Sequence, residues 1–312
     1  MEHENQTVIK EIILIGFSQA LYTRILLFVT FLLIYILTAF GNSFLICAVI
    51  ISPQLHTPMY YFICNLAFLD LCYSSSSLPK MLLDVFSKSV RISMIGCLVQ
   101  MNTGLFLGST EDLLLAVMAY DRYIAIRFPL HYTIIMNWRT CNIIIVIMWS
   151  GSFLIATIPT IAKPFVFCRG NVLDHFVCEI LALLELACGD LSFYKIAIFV
   201  ASIFTLLLPL MFIVVSYICI IISILNIRSA GGRSKAFSTC ASHLTVVFIL
   251  YGTSIIMYMG QSKSFSSNLK YIALIYGVVT PLLNPLIYSL RNNEVKGAFQ
   301  RILAKSSSPW TG

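Results

Sequence analysis

Charge is scarce in this chain: 20 Lys and Arg and 13 Asp and Glu leave only 11% of its 312 residues charged. A soluble domain carries about 25%, and a mean hydropathy of +0.91 excludes one. Catalytic signatures are missing too. His3, His56, His131, His175 and His243 stand apart without metal-ligand spacing, and there is no phosphate-cradling glycine loop, no G-x-S-x-G and no HExxH. Serines are plentiful, but none has an evident base partner, so neither an enzyme nor a cofactor is expected. The basic residues behind the net charge of +7 are scattered among loops and form no continuous patch, which speaks against nucleic acid as a partner. The first 24 residues show no basic stretch followed by a short apolar core and a small-residue cleavage site. The first apolar run is therefore expected to act as an uncleaved signal anchor.

What the chain does have is long apolar runs. A bilayer core of about 30 Å takes about 20 apolar residues per helical crossing, and seven runs qualify: 25–51, 59–84, 98–126, 140–162, 196–226, 237–260 and 271–290. The expected fold class is an all-α membrane protein, a seven-helix bundle forming one domain (25–290) between an outer N-terminus (1–24) and a cytoplasmic tail (291–312). No remaining stretch is long enough for a separate soluble core.

Orientation does not follow from the basic residues, which divide evenly between the two sides. Two other signals agree. The sequon "NQT" at Asn5 is usable for glycosylation only if the N-terminus is lumenal. Cys47, Cys64, Cys72, Cys141, Cys219 and Cys240 fall within or beside apolar runs, where a free cysteine is a small hydrophobe, whereas Cys97, Cys168, Cys178 and Cys188 cluster on the N-terminal side. An even set of loop cysteines suits an oxidising exterior and two disulfides, for which three pairings are open.

Asp70, Glu111 and Asp112 interrupt apolar runs, where an ionised side chain costs several kcal/mol and marks a functional hypothesis. At about 1.5 Å per residue, Asp70 lies roughly 18 Å from the cytoplasmic start of its run and Glu111 about 15 Å from Asp121, so they share a layer. Asn42 and Asn284, roughly 9–12 Å deep, complete a polar cluster around a water, a sodium ion or a proton. Two carboxyls buried together require a cation between them or a proton on one of them. A static network that only locks the helices together is the alternative to one that rearranges. Asp112 lies about 100° around the helix from Glu111 and has no role assigned from the sequence.

Several blocks in this order resemble the rhodopsin-type G-protein-coupled receptors and, within them, the tetrapod-type olfactory receptors. They are "GN" at 41–42, "LHTPMYYF" at 55–62, "LAFLDLCYSSSSLPKML" at 66–82, "MAYDRYIAIRFPLHY" at 118–132, "SY" at 216–217, "KAFSTCASHLTVV" at 235–247 and "PLLNPLIYSLRN" at 281–292. The chain departs from the family pattern at Arg127, where Cys is common, and at Asp112, where an apolar or aromatic residue or Cys is usual.

The resemblance implies disulfides Cys97–Cys178 and Cys168–Cys188. It also implies a ligand cavity lined by Leu105, Gly108, Ser109, Ala201, Ser202, Thr205, Tyr251, Ser254, Ile255, Tyr258, Leu274 and Gly277. That lining is mainly apolar with hydroxyls and no formal charge, which favours a small, neutral odorant; Lys263 is the one nearby cation. A retinal pigment is disfavoured because the last run has no mid-span lysine, Lys270 standing at its outer end. The implied partners are an odorant, membrane lipids and a stimulatory olfactory-type heterotrimeric G protein that raises cyclic AMP. Asp121, Arg122, Tyr123, Tyr217 and Tyr288 would form the switch, with Asp121 holding Arg122 at rest and the sixth helix swinging outward. Pro209, Pro281 and Pro285 would supply bending points. Gly231 and Gly232 are expected to make the fifth-to-sixth connection flexible, with Arg228, Arg233 and Lys235 making it cationic. The tail places Val295, Phe299, Ile302 and Leu303 on one helical face, away from Lys296, Arg301 and Lys305, as in a helix lying on a membrane surface. The rivals are a receptor of the same fold for a non-olfactory ligand and a transporter or channel, although no matching halves are seen.

Overall fold

The computed structural model describes residues 9–15, 20–87, 90–226, 230–259, 269–290, 295–297 and 300, with backbone alone at 230, 232, 234–236, 238, 239, 269, 289 and 290. Asn5, Lys263, Arg228 and most of the tail, including Phe299, Arg301, Ile302, Leu303 and Lys305, lie outside the described residues, as does the side chain of Lys235. Val295–Gly297 are helical and Val295 is buried.

Seven helical crossings form the bundle. The first two are α1 (Leu21–Ile51) and α2 (Pro58–Asp84), and the third is α3 (Met94–Arg127). A one-turn helix α4 (Tyr132–Ile135) leads to the fourth, α5 (Trp138–Ala162). A short loop helix α6 (Ile180–Leu186) precedes the fifth crossing, which is α7 (Ser192–Ser202), a π-helical turn (Ile203–Leu207) and α8 (Leu208–Leu225). The sixth is α9 (Ala230–Met259). The seventh is α10 (Leu269–Leu274), a second π turn (Ile275–Val279) and α11 (Thr280–Leu290).

The helices overrun the apolar runs at several ends, which places the unpaired backbone groups of each terminus beyond the hydrocarbon, where water and headgroups can bond them. Pro58 opens α2 at a position where its missing N–H costs nothing. Ser93 and Asn137 cap α3 and α5, their side chains accepting from Gly96 N at 3.1 Å and Thr140 N at 3.0 Å.

Lipid, rather than water, explains the outer surface. Phe248 is 81% exposed, and Phe40, Val146 and Ile161 are exposed with it; apolar surface spread this widely is not tolerated in water. Among the described residues, Leu21–Ile51, Trp138–Ala162, Ser192–Leu225, Cys240–Met259 and Lys270–Tyr288 are each long and apolar enough to span a bilayer. The other two crossings, α2 and α3, carry the buried acids. They can do so because α3 is central, packing on α2, α5, α8 and α9, so their polar faces meet protein and not lipid.

The expected seven-helix fold carries one small addition at the loops: β1 (Glu11–Leu14) lies between β2 (Val90–Ser93), antiparallel, and β3 (Val172–Leu173), parallel. Ile12, Leu14, Val90 and Leu173 are buried there with Met101, Ile180 and Leu183. The strand alternates in burial although "EIIL" does not alternate in polarity, and its partners are about 80 and 160 residues away. The fifth and seventh crossings are irregular beside two of the prolines expected to bend them. Each has a π turn ending two residues before a proline, Pro209 and Pro281; proline lacks an N–H and crowds the carbonyl four residues back, and a wider turn relieves that clash. One expectation is corrected: Gly231 and Gly232, expected in a flexible connection, are helical, since α9 starts at Ala230. Two glycines cost a helix only about 2 kcal/mol, less than breaking a ladder that runs on into the sixth crossing.

Both disulfides form in the pairing the resemblance implied, Cys97–Cys178 and Cys168–Cys188. The first ties the long loop to the top of α3, and the second folds that loop on itself. Replacing Cys97 or Cys178 with Ser removes a cross-link of the kind that contributes about 2–5 kcal/mol. Surface staining of either variant should fall several-fold, and near-normal delivery of both would show that the tether is dispensable.

Candidate functional site

A cavity lies inside the disulfide-bearing half of the bundle. It encloses about 700 Å³ not filled by atoms, counting the part open to solvent. Its walls come from α3 (Gly104, Leu105, Gly108, Ser109), α5 (Ala156, Pro159, Thr160), the fifth crossing (Ala201, Ser202, Thr205) and Tyr258 and Tyr276 of the sixth and seventh. A second chamber shares Gly104, Leu105, Ile180, Tyr258 and Tyr276 with it, and runs between α2, the seventh crossing and loop residues 175–180.

Nine of the sequence-predicted lining residues meet here. Leu105, Gly108, Ser109, Ala201, Ser202, Thr205 and Tyr258 line the first chamber, and Leu274 and Gly277 the second. The glycines have a packing reason. A methyl group on Gly108 would overlap the Tyr276 hydroxyl, and one on Gly277 would come within 3.0 Å of the Tyr73 ring. Those two rings meet edge to face at 5.6 Å. Tyr251, Ser254 and Ile255 do not line either chamber. Tyr251 is buried below, its hydroxyl donating to the backbone oxygen of Asp112 at 2.7 Å.

The expectation of a charge-free lining is corrected. Asp112 lies in the wall of the first chamber, 4% exposed, and its Oδ1 has no hydrogen-bond partner. Glu179 and Lys270 line the second chamber. Lys270 Nζ donates to Asp174 Oδ1 at 2.7 Å, latching the long loop to α10. Sequence reasoning missed the contribution of α5, Tyr194, Ile180 and Tyr276. For Asp112 a signal existed, its departure from the family pattern together with its 100° offset from Glu111.

The loop over the second chamber carries two perturbed groups. His175 is buried, and its Nδ1 lies 2.8 Å from Val177 O. A carbonyl only accepts, so Nδ1 carries the proton, and the longer approach of Val177 N is not a hydrogen bond. Burial holds this imidazole down from 6.5 to about 4, against the opposing pull of the Val177 carbonyl. Glu179 caps α6, its Oε2 accepting from Leu181 N at 2.7 Å and Ala182 N at 3.2 Å. Burial pushes its carboxyl from 4.5 up to about 7 although those N–H groups favour the anion.

In mid-bundle, Asn284 Nδ2 donates to Asp70 Oδ1 at 3.1 Å and to Glu111 Oε1 at 3.2 Å. Asn42 joins from α1 by donating to Pro281 O and to Thr38 O, each at 3.1 Å. Asp70 Oδ2, Asn42 Oδ1 and Asn284 Oδ1 remain buried without donors. Such oxygens suit a hard cation or a water. No group of three His, Cys, Asp or Glu side chains converges among the described residues.

At the far end, Arg122 is 5% exposed, and its Nε and Nη1 have no hydrogen-bond partner. The expected Asp121–Arg122 pairing is not formed among the described residues. Asp121 Oδ1 instead accepts from the Tyr132 hydroxyl at 2.8 Å, fastening α4 to α3. Tyr217 and Tyr288 are buried near Arg122, and Tyr123, half-buried, packs its ring on Phe128. His243, unassigned from the sequence, is fully buried. Its Nε2 lies 3.0 Å from Leu115 O, so that nitrogen is the donor, and Nδ1 accepts from the Tyr217 hydroxyl at 2.9 Å. One imidazole thereby joins the third, fifth and sixth crossings.

Comparison with known proteins adds an independent finding. A family model described as olfactory receptor matches residues 31–306. Olfactory receptor 5G29 of Mus musculus is 47% identical over 312 residues, covering 99% of each chain. Olfactory receptor 13H1 of Homo sapiens is 45% identical over 306 residues, covering 98% of this chain and 99% of its own length. Olfactory receptor 2K2 of Homo sapiens is 47% identical over 306 residues, covering 98% and 97%.

The two loop groups set opposite pH slopes on stability. Below about 6.5 the unfolded chain protonates His175 while the folded loop resists until about 4, so stability falls as pH falls through that window. Above about 4.5 the unfolded chain ionises Glu179 while the folded loop resists until about 7, so stability falls as pH rises. In thermal melts of purified protein, His175→Gln should flatten the acid-side fall and Glu179→Gln the loss on approaching pH 7, each by several degrees. Slopes identical to those of the parent would refute these environments.

Proposed function

The chain belongs to the olfactory receptor family, and on that premise we propose that the two-chambered cavity is the odorant site and that its occupancy is relayed along α3 to a G protein at the Arg122 end. An odorant receptor of this kind is a membrane protein and not an enzyme. The observation that carries the proposal is that one helix lines the cavity with Leu105, Gly108, Ser109 and Asp112 and, about 15 Å further on, buries Arg122.

The relay is physical. A ligand between Ser109 and Ser202 or Thr205 bridges the third and fifth crossings, and its contact with Tyr258 reaches the sixth. Beneath it the Tyr251 hydroxyl ties α9 to α3 at Asp112, and below that the His243 imidazole ties α9 to Tyr217 and Leu115. The π turns beside Pro209 and Pro281 are where the fifth and seventh crossings yield most cheaply. Outward movement of α9 breaks the His243 joint and gives water and a partner access to Arg122, whose buried nitrogens gain hydrogen bonds on release. The Asn284 cluster favours the closed packing, and Asp70, Glu111 and Asn284 are the residues that would hold a sodium ion or proton there.

The N-terminus lies outside the plasma membrane and the tail inside. Two disulfides at the cavity end, which an oxidising exterior maintains, support this. The partner is a heterotrimeric G protein of the stimulatory olfactory type, raising cyclic AMP. Arg233 on α9 and Lys296 in the tail, both exposed, suit an acidic partner or anionic lipid headgroups.

Cyclic AMP reporting in cells displaying the chain, screened against a chemically broad odorant panel, is the test. A response to at least one odorant is expected, and silence despite surface delivery would count against the assignment. Arg122→Ala should lower the odorant response about 5- to 150-fold, the range of allosteric couplings, with surface display retained. An undiminished response would remove Arg122 from the relay.

A further inference from the structure

Asp112 is the acid in the wall of the first chamber, and the Tyr194 hydroxyl in the same wall, like Glu179 Oε1 in the second chamber, is also without a hydrogen-bond partner. Asp112 is 4% exposed, and its Oδ1 is sealed without a hydrogen-bond partner. The adjacent acid, Glu111, accepts from the Asn284 amide, whereas Asp112 lies in the cavity wall. The Tyr251 hydroxyl serves the backbone oxygen of Asp112 and not its carboxyl. None of the ion pairs among the described residues involves Asp112.

Resting on the reading of this cavity as the odorant site, we propose that the receptor is tuned to small amines, whose basic nitrogen binds the Asp112 carboxyl. A carboxyl buried without a donor or a countercharge is costly. A neutral alcohol or ketone supplies at most one hydrogen bond to it. An amine supplies several N–H donors and the positive charge that makes those bonds strong. The surroundings fit the rest of such a ligand. Ser202 and Thr205 lie on the facing wall to accept a remaining N–H, and the rings of Tyr194, Tyr258 and Tyr276 offer π faces to a cation. Ile155, Ala156, Ile198 and Leu206 line space for a hydrocarbon body.

The test uses the full-length receptor at the cell surface, a cyclic AMP reporter and primary amines, alcohols and ketones matched in carbon skeleton. The expected result is half-maximal response to amines at concentrations about tenfold or more below those of the matched alcohols, the scale of one charge-assisted hydrogen bond. Asp112→Asn, corrected for surface display, should abolish that preference, and Asp112→Glu should retain part of it. Amines no better than alcohols, or an Asn variant that keeps the preference, would overturn the proposal. The cavity assignment is tested separately by Ala201→Phe, which fills the first chamber and should remove responses to every class. Amine responses that survive Ala201→Phe would reject the cavity, whereas alcohol responses lost in Ala201→Phe without any amine preference would keep the cavity and reject the amine.

Discussion

The Asn284 side-chain amide spends both of its N–H groups on carboxyl oxygens of two different helices, Asp70 on α2 and Glu111 on α3. In a protein surrounded by lipid, helices gain little from burying apolar faces against one another, because hydrocarbon is as good a solvent for leucine as another helix is. Packing and polar joints must supply the specificity. The Asn284 joint fixes the seventh crossing against the second and third, and Asn42 extends it to the first by reaching the carbonyl of Pro281. That carbonyl stands just past the π turn of Ile275–Val279, so the irregular seventh crossing is anchored where its own ladder is interrupted.

The cavity follows from that arrangement. With the first, second, third and seventh crossings locked low in the bundle, space opens higher up, where Gly108 and Gly277 admit Tyr276 and Tyr73 in place of side chains of their own. The lid is a separate small structure, with a core of Ile12, Leu14, Leu173 and Leu183 and two disulfides. Below, His243 is a further joint of the same type as Asn284, one neutral side chain bonded at both nitrogens to two other crossings. The bundle is thus closed by a few polar side chains at distinct depths, of which Tyr251 and His243 hold the sixth crossing.

Much of this was legible in the residues. The seven runs marked the crossings, because the cost of an unpaired backbone in lipid leaves a helix as the way for such a run to span. The depth estimate that put Asp70, Glu111 and Asn284 together used nothing but helical rise, and it held because α2 and α3 are regular through that layer. What could not be read depended on partners distant in sequence or on faces. β1 pairs with residues near 92 and 172, and no local pattern specifies which edge it joins. Whether Asp112 meets protein, lipid or cavity is set by how α3 is rotated among α5 and α8, a tertiary property. The Asp121–Arg122 expectation failed because adjacent residues on a helix point about 100° apart, and the Tyr132 hydroxyl reached the carboxylate first.

The central position of β1 in its sheet also constrains synthesis. Residues Ile13 and Leu14 are made about 160 residues before one of their two neighbouring strands, Val172–Leu173. At about 5–20 residues per second, that partner is made on the order of ten seconds later, after four crossings have entered the membrane. Until then the outer edge of β1 is unpaired and its buried residues lack the loop core that will cover them. This strand therefore reaches its final contacts late, and its closing depends on the long loop having folded at the same end of the bundle.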